Sequence, residues 1–251
     1  MRAEEKLKGS TAAKELEPAA PKPATFAEAF AWAAAQVGPL KKRLDAYSAH
    51  SRALNPKTNE AYDELVARLS GLKKGGPPVG AILPDFYLPD QDGRLVSLSS
   101  LLSEGPLVVS FNRGHWCPWC RLELRALAQI HDDVRKLGAQ VVSIIPETLG
   151  YSQRLVRDNN LPFKVLTDLD LSYALSLGPM IWVGEKIRAL YLKGGLDLAL
   201  FQRSEGWFLP IPATILIGSD GIVKTRFVDA DFRRRMEPQD ILSALHSLRR
   251  S

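Results

Sequence analysis

Two cysteines, Cys117 and Cys120, are the only ones in the 251 residues of this chain. They lie in the run Phe111-Asn112-Arg113-Gly114-His115-Trp116-Cys117-Pro118-Trp119-Cys120-Arg121-Leu122-Glu123-Leu124. The apolar run Leu107-Val108-Val109-Ser110-Phe111 before them reads as a strand, and the residues after them read as a helix. Thiols delivered to a helix N-terminus meet unpaired N–H groups and the positive end of the helix dipole, which favour the reactive thiolate. A disulfide across so short a loop removes little chain entropy and is strained, so the spacing suits redox chemistry better than a structural staple. A zinc site needs four ligands. Cys117, Cys120 and His115 supply three, and no second Cys or His pair follows at finger-like spacing, so no metal is expected.

The elements that must position these thiols follow an α/β pattern. A strand is expected near 95 to 98, after the turn signal Asp90-Gln91-Asp92-Gly93. The next strand covers 107 to 112, and the helix carrying the cysteines runs from about 118 to 136. Val141 to Ile145 reads as a buried strand, 150 to 159 as a helix, and Phe163 to Leu166 as a short strand. A helical stretch begins near Leu171, and an irregular insertion is expected up to about 210. Ala213 to Ile217, Asp220-Gly221 and Ile222 to Val228 make a hairpin, and a last helix starts at Pro238 with Ile241, Leu242, Leu245 and Leu248 inward. This is the order of a thioredoxin-like fold, a central mixed sheet flanked by helices. In that order Pro212, in Ile211-Pro212-Ala213-Thr214, stands where a cis-proline beside the thiols is expected.

Residues 1–22 mix Lys, Glu, Ala and Pro without apolar periodicity and are expected to be a disordered tail. Residues 24–76 form an N-terminal helical extension. Thr25 and Glu28 make a capping box, and Phe26, Phe30, Ala33, Val37, Leu40, Leu44 and Tyr47 share a stripe on one helix or on two bent near Gly38-Pro39. Asn55-Pro56 starts a further helix with Tyr62, Leu65, Val66, Leu69 and Leu72 on its apolar face and Gly71 near its end. This arm packs on its own domain or serves homodimerisation. Lys73-Lys74-Gly75-Gly76-Pro77-Pro78 reads as a linker into a domain over 77–251.

Hydrophobic residues make up 45% of the chain and charged residues 24%, enough for a core and a soluble surface. No membrane-length apolar run and no signal peptide are read, so a cytoplasmic protein is expected. The net charge of +5 is modest, and Arg233-Arg234-Arg235 comes with no nucleic-acid motif. No glycine-rich dinucleotide or phosphate-binding motif occurs, so no cofactor is expected.

Val79 to Leu248 resembles the peroxiredoxins of the alkyl hydroperoxide reductase and thiol-specific antioxidant group, in the branch with a Cys-x-x-Cys. The matching pieces are Val79 to Pro89, Arg113 to Glu123, Ile145-Pro146-Glu147-Thr148, Phe163 to Asp168, Leu209 to Thr214 and Asp231 to Pro238. The group's pattern is Pro-x-x-x-Thr-x-x-Cys with Glu three residues on. Cys120 and Glu123 fit its second half, while Cys117 and Arg113 stand at the Thr and Pro positions.

The resemblance implies a thiol peroxidase acting on hydrogen peroxide or organic hydroperoxides through a sulfenic acid and a Cys117–Cys120 disulfide. A thioredoxin-like protein or a small thiol would be the reductant. It implies that Arg235, with Arg234 as the near alternative, lowers the thiolate pKa. The peroxiredoxin pattern points to Cys120 as the attacking thiol, and the Trp-Cys-x-x-Cys pattern to Cys117; Cys120 is favoured. Arg113, Trp116, Pro118, Trp119, Glu123, Pro212 and Thr214 are the expected neighbours of the thiols. His115 either tunes a thiolate or lies at the surface, Trp116 and Trp119 either shape the pocket or pack beside the helix start, and Glu147 and Thr148 either belong to the site or cap the following helix. Two other activities fit the residues: a disulfide reductase, and a redox-responsive interaction module.

Overall fold

The computed structural model describes residues 23–70 and 75–250. The expected tail at 1–22, and Gly71, Leu72, Lys73 and Lys74, lie outside the described residues. The arm consists of α1 (Phe26–Ala35), α2 (Leu40–Leu54) and α3 (Pro56–Ser70). A hairpin follows, β1 (Tyr87–Pro89) with β2 (Leu95–Ser97), and then the short α4 (Leu98–Leu102). The main run is β3 (Leu107–Phe111), α5 (Pro118–Gln129), α6 (His131–Lys136), β4 (Gln140–Ile145), α7 (Leu149–Asn159), β5 (Lys164–Thr167) and α8 (Ser172–Leu177). It continues through β6 (Met180–Trp182), α9 (Glu185–Lys193), α10 (Leu198–Gln202) and β7 (Phe208–Pro210), and ends with β8 (Ala213–Ile217), β9 (Val223–Val228) and α11 (Pro238–Arg250).

The central sheet has the order β5-β4-β3-β8-β9. β3 pairs parallel with β4 and antiparallel with β8, so it sits in the middle. Its five residues are all buried, as expected for a strand covered on both faces. Strand alternation sorts them. Leu107, Val109 and Phe111 join the core beneath the β1–β2 hairpin and α8, and Val108 joins the core beneath α5 and α11.

Three expectations need correction. The helix read over 118 to 136 breaks at Ile130 (φ −99°, ψ 3°), and Asp132 and Asp133 open α6, where carboxylates suit the positive helix end. The insertion read as irregular holds α9, α10 and the hairpin β6–β7. Its strands are three residues long, too short to show alternation. Pro212 is trans, as is every peptide bond among the described residues. The chain enters β8 directly from β7, with the Ile211 N–H bonded to the Pro179 carbonyl at 2.8 Å, so no reversal is needed there.

The arm packs on its own chain. α1 and α2 are separate helices, and α1 carries the expected Thr25–Glu28 capping box. Val37 lies between them and is exposed, off the expected stripe. Phe26 is also partly exposed. α2 lies on α5, and α3 lies on α9. Pro39 has no side chain able to cap α2, so Glu237 accepts from the N–H groups of Leu40 (2.9 Å) and Lys41 (2.7 Å). Asp63 accepts from Arg52 and Arg233, tying α3 to the segment before α11.

Candidate active site

Cys117 is the N-cap residue of α5 and Pro118 fills its first turn, which needs no N–H there. Cys120 follows one turn later, and Glu123 a turn after that. Both thiols are free, wholly buried, and 2.8 Å apart, with the Cys120 S–H donating to Cys117 Sγ. Cys120 Sγ also accepts from the Arg113 backbone N–H and from Arg235 Nη2, both at 3.4 Å.

The sheet builds the platform beneath them. Ser110 and Thr214 are cross-strand partners in the β3–β8 register and point to the α5 face. Both hydroxyls donate to Glu123 Oε1 at 3.0 Å. The other carboxylate oxygen of Glu123 accepts from Arg235 Nε at 2.6 Å. Arg235 is further fixed by the Phe232 carbonyl and by the Arg234 carbonyl at 2.8 Å. Glu123 therefore neutralises and aims a buried guanidinium at Cys120. Arg234 instead lies outward, 3.4 Å from Asp229.

Electrostatics divide the thiol pair. Burial pushes Cys117 up, but the Cys120 hydrogen bond and then the Arg113 and Arg235 charges lower it to about 6. Burial, the bond to Cys117 and the charge there push Cys120 well up. One proton is thus shared, held on Cys120 while Cys117 carries the charge. Burial works against the Arg113 cation, yet Tyr191 and Cys117 raise its pKa, so it stays charged.

An aromatic shell encloses the pair. Trp119 is buried under the arm, edge-on to Tyr47 (5.0 Å), Phe232 (5.5 Å) and Tyr62 (6.0 Å), and its Nε1 donates to Ser48. Trp116 packs edge-on to Tyr191 at 5.5 Å, and the Arg113 guanidinium lies over the Phe232 ring at 4.1 Å and the Trp116 ring at 5.0 Å.

The structure brings Cys117, Cys120, Arg113, Arg235, Trp116, Pro118 and Glu123 together at the start of α5. Trp119 anchors the arm through Tyr47, Tyr62 and Ser48. Glu123 and Thr214 hold Arg235 from behind. Pro212 lies in the trans link between β7 and β8. His115 faces Glu147, which accepts from its backbone N–H (2.7 Å) and pairs with its Nδ1 (2.9 Å), and its ring stacks on Tyr151 at 4.6 Å. Thr148 is the N-cap residue of α7, though its side chain makes no cap bond. Sequence reasoning missed Tyr191 as a site residue. It lies in the insertion, and nothing in its local pattern separates it from a core tyrosine.

A mixed five-stranded sheet with a buried Cys-x-x-Cys at the start of its central helix defines a thioredoxin-like α/β protein. The model of the AhpC/TSA family matches residues 79–226, more than half of the chain, which belongs to that family. Chloroplastic peroxiredoxin Q of Triticum aestivum is 30% identical over 102 residues, 41% of this chain and 46% of the relative. Peroxiredoxin Bcp of Escherichia coli (strain K12) is 31% identical over 107 residues, 43% of this chain and 66% of the relative. The chain thus spans about half to two thirds of the length of these relatives. Among solved structures, peroxidoxin BcpB from Mycobacterium tuberculosis superposes with a TM-score of 0.53 at 21% identity, covering 68% of this chain and 97% of that one. A cysteine-to-serine mutant of peroxiredoxin 6 of Arenicola marina gives 0.56 at 18%, covering 69% and 74%. These two likenesses are of fold.

Proposed function

We propose that this protein is a thiol peroxidase that reduces hydrogen peroxide or an organic hydroperoxide. The observation that carries the reading is the buried Cys117–Cys120 pair held between two charged guanidinium groups, Arg113 and Arg235. The relatives named peroxiredoxin support it.

Cys117 attacks first in this reading, because it holds the charge at rest. That reverses the preference for Cys120 drawn from the peroxiredoxin pattern, whose position Cys120 still fills. The thiolate sulfur bonds to one peroxide oxygen, the O–O bond breaks, and the departing oxygen takes up a proton. Sulfur is oxidised by two electrons to a sulfenic acid, and the peroxide is reduced to water or an alcohol. The Cys120 thiol then attacks that sulfur, expelling water and closing the Cys117–Cys120 disulfide. Two thiols from a thioredoxin-like protein or a small thiol return the pair to its reduced form. The cycle suits a reducing compartment, and we place the protein in the cytoplasm on that ground.

A disulfide reductase is the second reading, favoured by the low pKa of the N-cap thiol after Trp116. The full burial of both sulfurs argues against it, since a protein disulfide needs far more room than a hydroperoxide.

The test is mass spectrometry with a sulfenic-acid trap after one equivalent of hydrogen peroxide, on wild type, Cys117→Ser and Cys120→Ser. Trapping on Cys117 in Cys120→Ser, with an internal disulfide in wild type, is expected. Trapping only on Cys120 in Cys117→Ser reverses the roles. No reaction within minutes in any form overturns the peroxidase.

A further inference from the structure

Arg113 is 1% exposed, yet its Nε and Nη1 find no hydrogen-bond partner among the described residues. Buried N–H groups of a charged side chain are costly to leave unmet. The third nitrogen, Nη2, donates to the Tyr191 hydroxyl at 2.7 Å. Because the Tyr191 oxygen accepts there, its own hydrogen is left to donate. Tyr62, edge-on to Tyr191 at 6.2 Å, is a second hydroxyl acting on that oxygen. Two groups with hydrogens left to donate, Arg113 and Tyr191, thus lie in the core that also holds Cys117, the Arg113 backbone N–H being bonded to Cys120 Sγ at 3.4 Å. Arg113 comes from the loop after β3 and Tyr191 from α9, while Tyr62 of α3 backs them from the arm. Trp116 and Phe232 wall the guanidinium with ring faces. What these unmet donors call for is a small acceptor that gains negative charge next to a thiolate.

We infer that Arg113 and Tyr191 form the oxygen-binding corner of the site: the free N–H groups of Arg113 hold the hydroperoxide, and the Tyr191 hydroxyl donates to the oxygen that leaves. The inference rests on the peroxidase reading above and adds Tyr191 to it as a catalytic residue. In the step, the Cys117 sulfur lone pair forms the S–O bond as the O–O bond breaks. The departing hydroxide or alkoxide takes the Tyr191 proton. The tyrosinate, paired with Arg113, recovers a proton from water. Fixed donors aimed at developing charge stabilise the transition state more than the ground state.

The experiment compares two reactions of the same thiol in full-length wild type, Tyr191→Phe and Arg113→Lys. One is oxidation by hydrogen peroxide, read as sulfenic-acid formation. The other is alkylation by iodoacetamide, which needs the thiolate but no oxygen site. Tyr191→Phe is expected to slow the peroxide reaction about 10- to 100-fold while alkylation stays within about 3-fold of wild type. Arg113→Lys keeps the charge and removes the planar fork, so it should also lose peroxide rate selectively. Equal loss in both reactions marks a general effect on thiolate or fold and overturns the inference. No loss in either does the same. A wild type no faster with peroxide than a free cysteine thiolate overturns the peroxidase reading and this corner together. A fast wild type with an equally fast Tyr191→Phe overturns the corner alone.

Discussion

Cys117 ionises inside a protein core only because its neighbours outweigh burial. The Cys120 hydrogen bond and the Arg113 and Arg235 charges do this together, bringing it down to about 6. Its alkylation rate, followed against pH, should therefore rise through a midpoint near 6 and level off above it. A midpoint at the free-thiol value, about 8.5, would contradict the charge arrangement. Arg235 tests the same balance from another side. Replacing it with Met leaves the Glu123 carboxylate buried with only two hydroxyl donors. Arg235→Met should cost about 3 to 5 kcal/mol in urea unfolding, and it should move the Cys117 midpoint upward. Unchanged stability would mean that the Glu123–Arg235 pair contributes nothing net to the fold. At this scale the sequence was most legible. The thiols could be picked out by type and spacing, and Arg113, Arg235 and Glu123 by the resemblance to the peroxiredoxins. The proton on Cys120 could not, because it depends on where two guanidinium groups end up.

The strand-to-helix loop sets these residues in place, and one glycine lets it do so. Gly114 has φ +138°, a backbone conformation that other residues rarely adopt. A Cβ there would lie 2.5 Å from Glu147 Oε1 and 2.8 Å from Trp116 Nε1. Gly114→Ala must therefore push Glu147 off His115 or shift Trp116 off Arg113. It should cost about 1 to 3 kcal/mol, seen as a fall of several degrees in the melting temperature, and should slow Cys117 alkylation. A variant with wild-type melting and reactivity would show that the loop has slack. The elements themselves were largely readable, since β3, β4, β5, β8 and β9 announce themselves by apolar runs and turn signals. The insertion was not. Among the described residues β6 and β7 pair only with each other, and α9 matters to the site through Tyr191, which its local pattern does not single out.

The arm's relation to the rest of the molecule was the least legible feature. Tyr47 and Tyr62 could be placed on apolar helix faces, but what they cover is set by contacts far along the chain, with Trp119 and Phe232. With α2, α3 and α9 in place, both sulfurs are sealed from solvent. Any substrate then reaches Cys117 only when the shell opens, and the arm is held to the remainder through side chains. Its hold is side-chain packing plus a few polar ties, such as Glu237 to the α2 N-terminus and Lys186 to Glu64 at 2.6 Å. The exposed tie contributes little, so packing dominates. Leu65, 3% exposed on α3, is a suitable place to weaken it. Leu65→Ala should lower global stability by about 2 to 5 kcal/mol and yet raise the iodoacetamide rate of Cys117, because local opening of the arm becomes easier. Loss of stability with no gain in reactivity would mean that access runs another way, along the side where His115 and Trp116 line a cleft of about 280 Å³. The two routes separate cleanly, because loosening α3 leaves the His115–Glu147 tether on that side untouched.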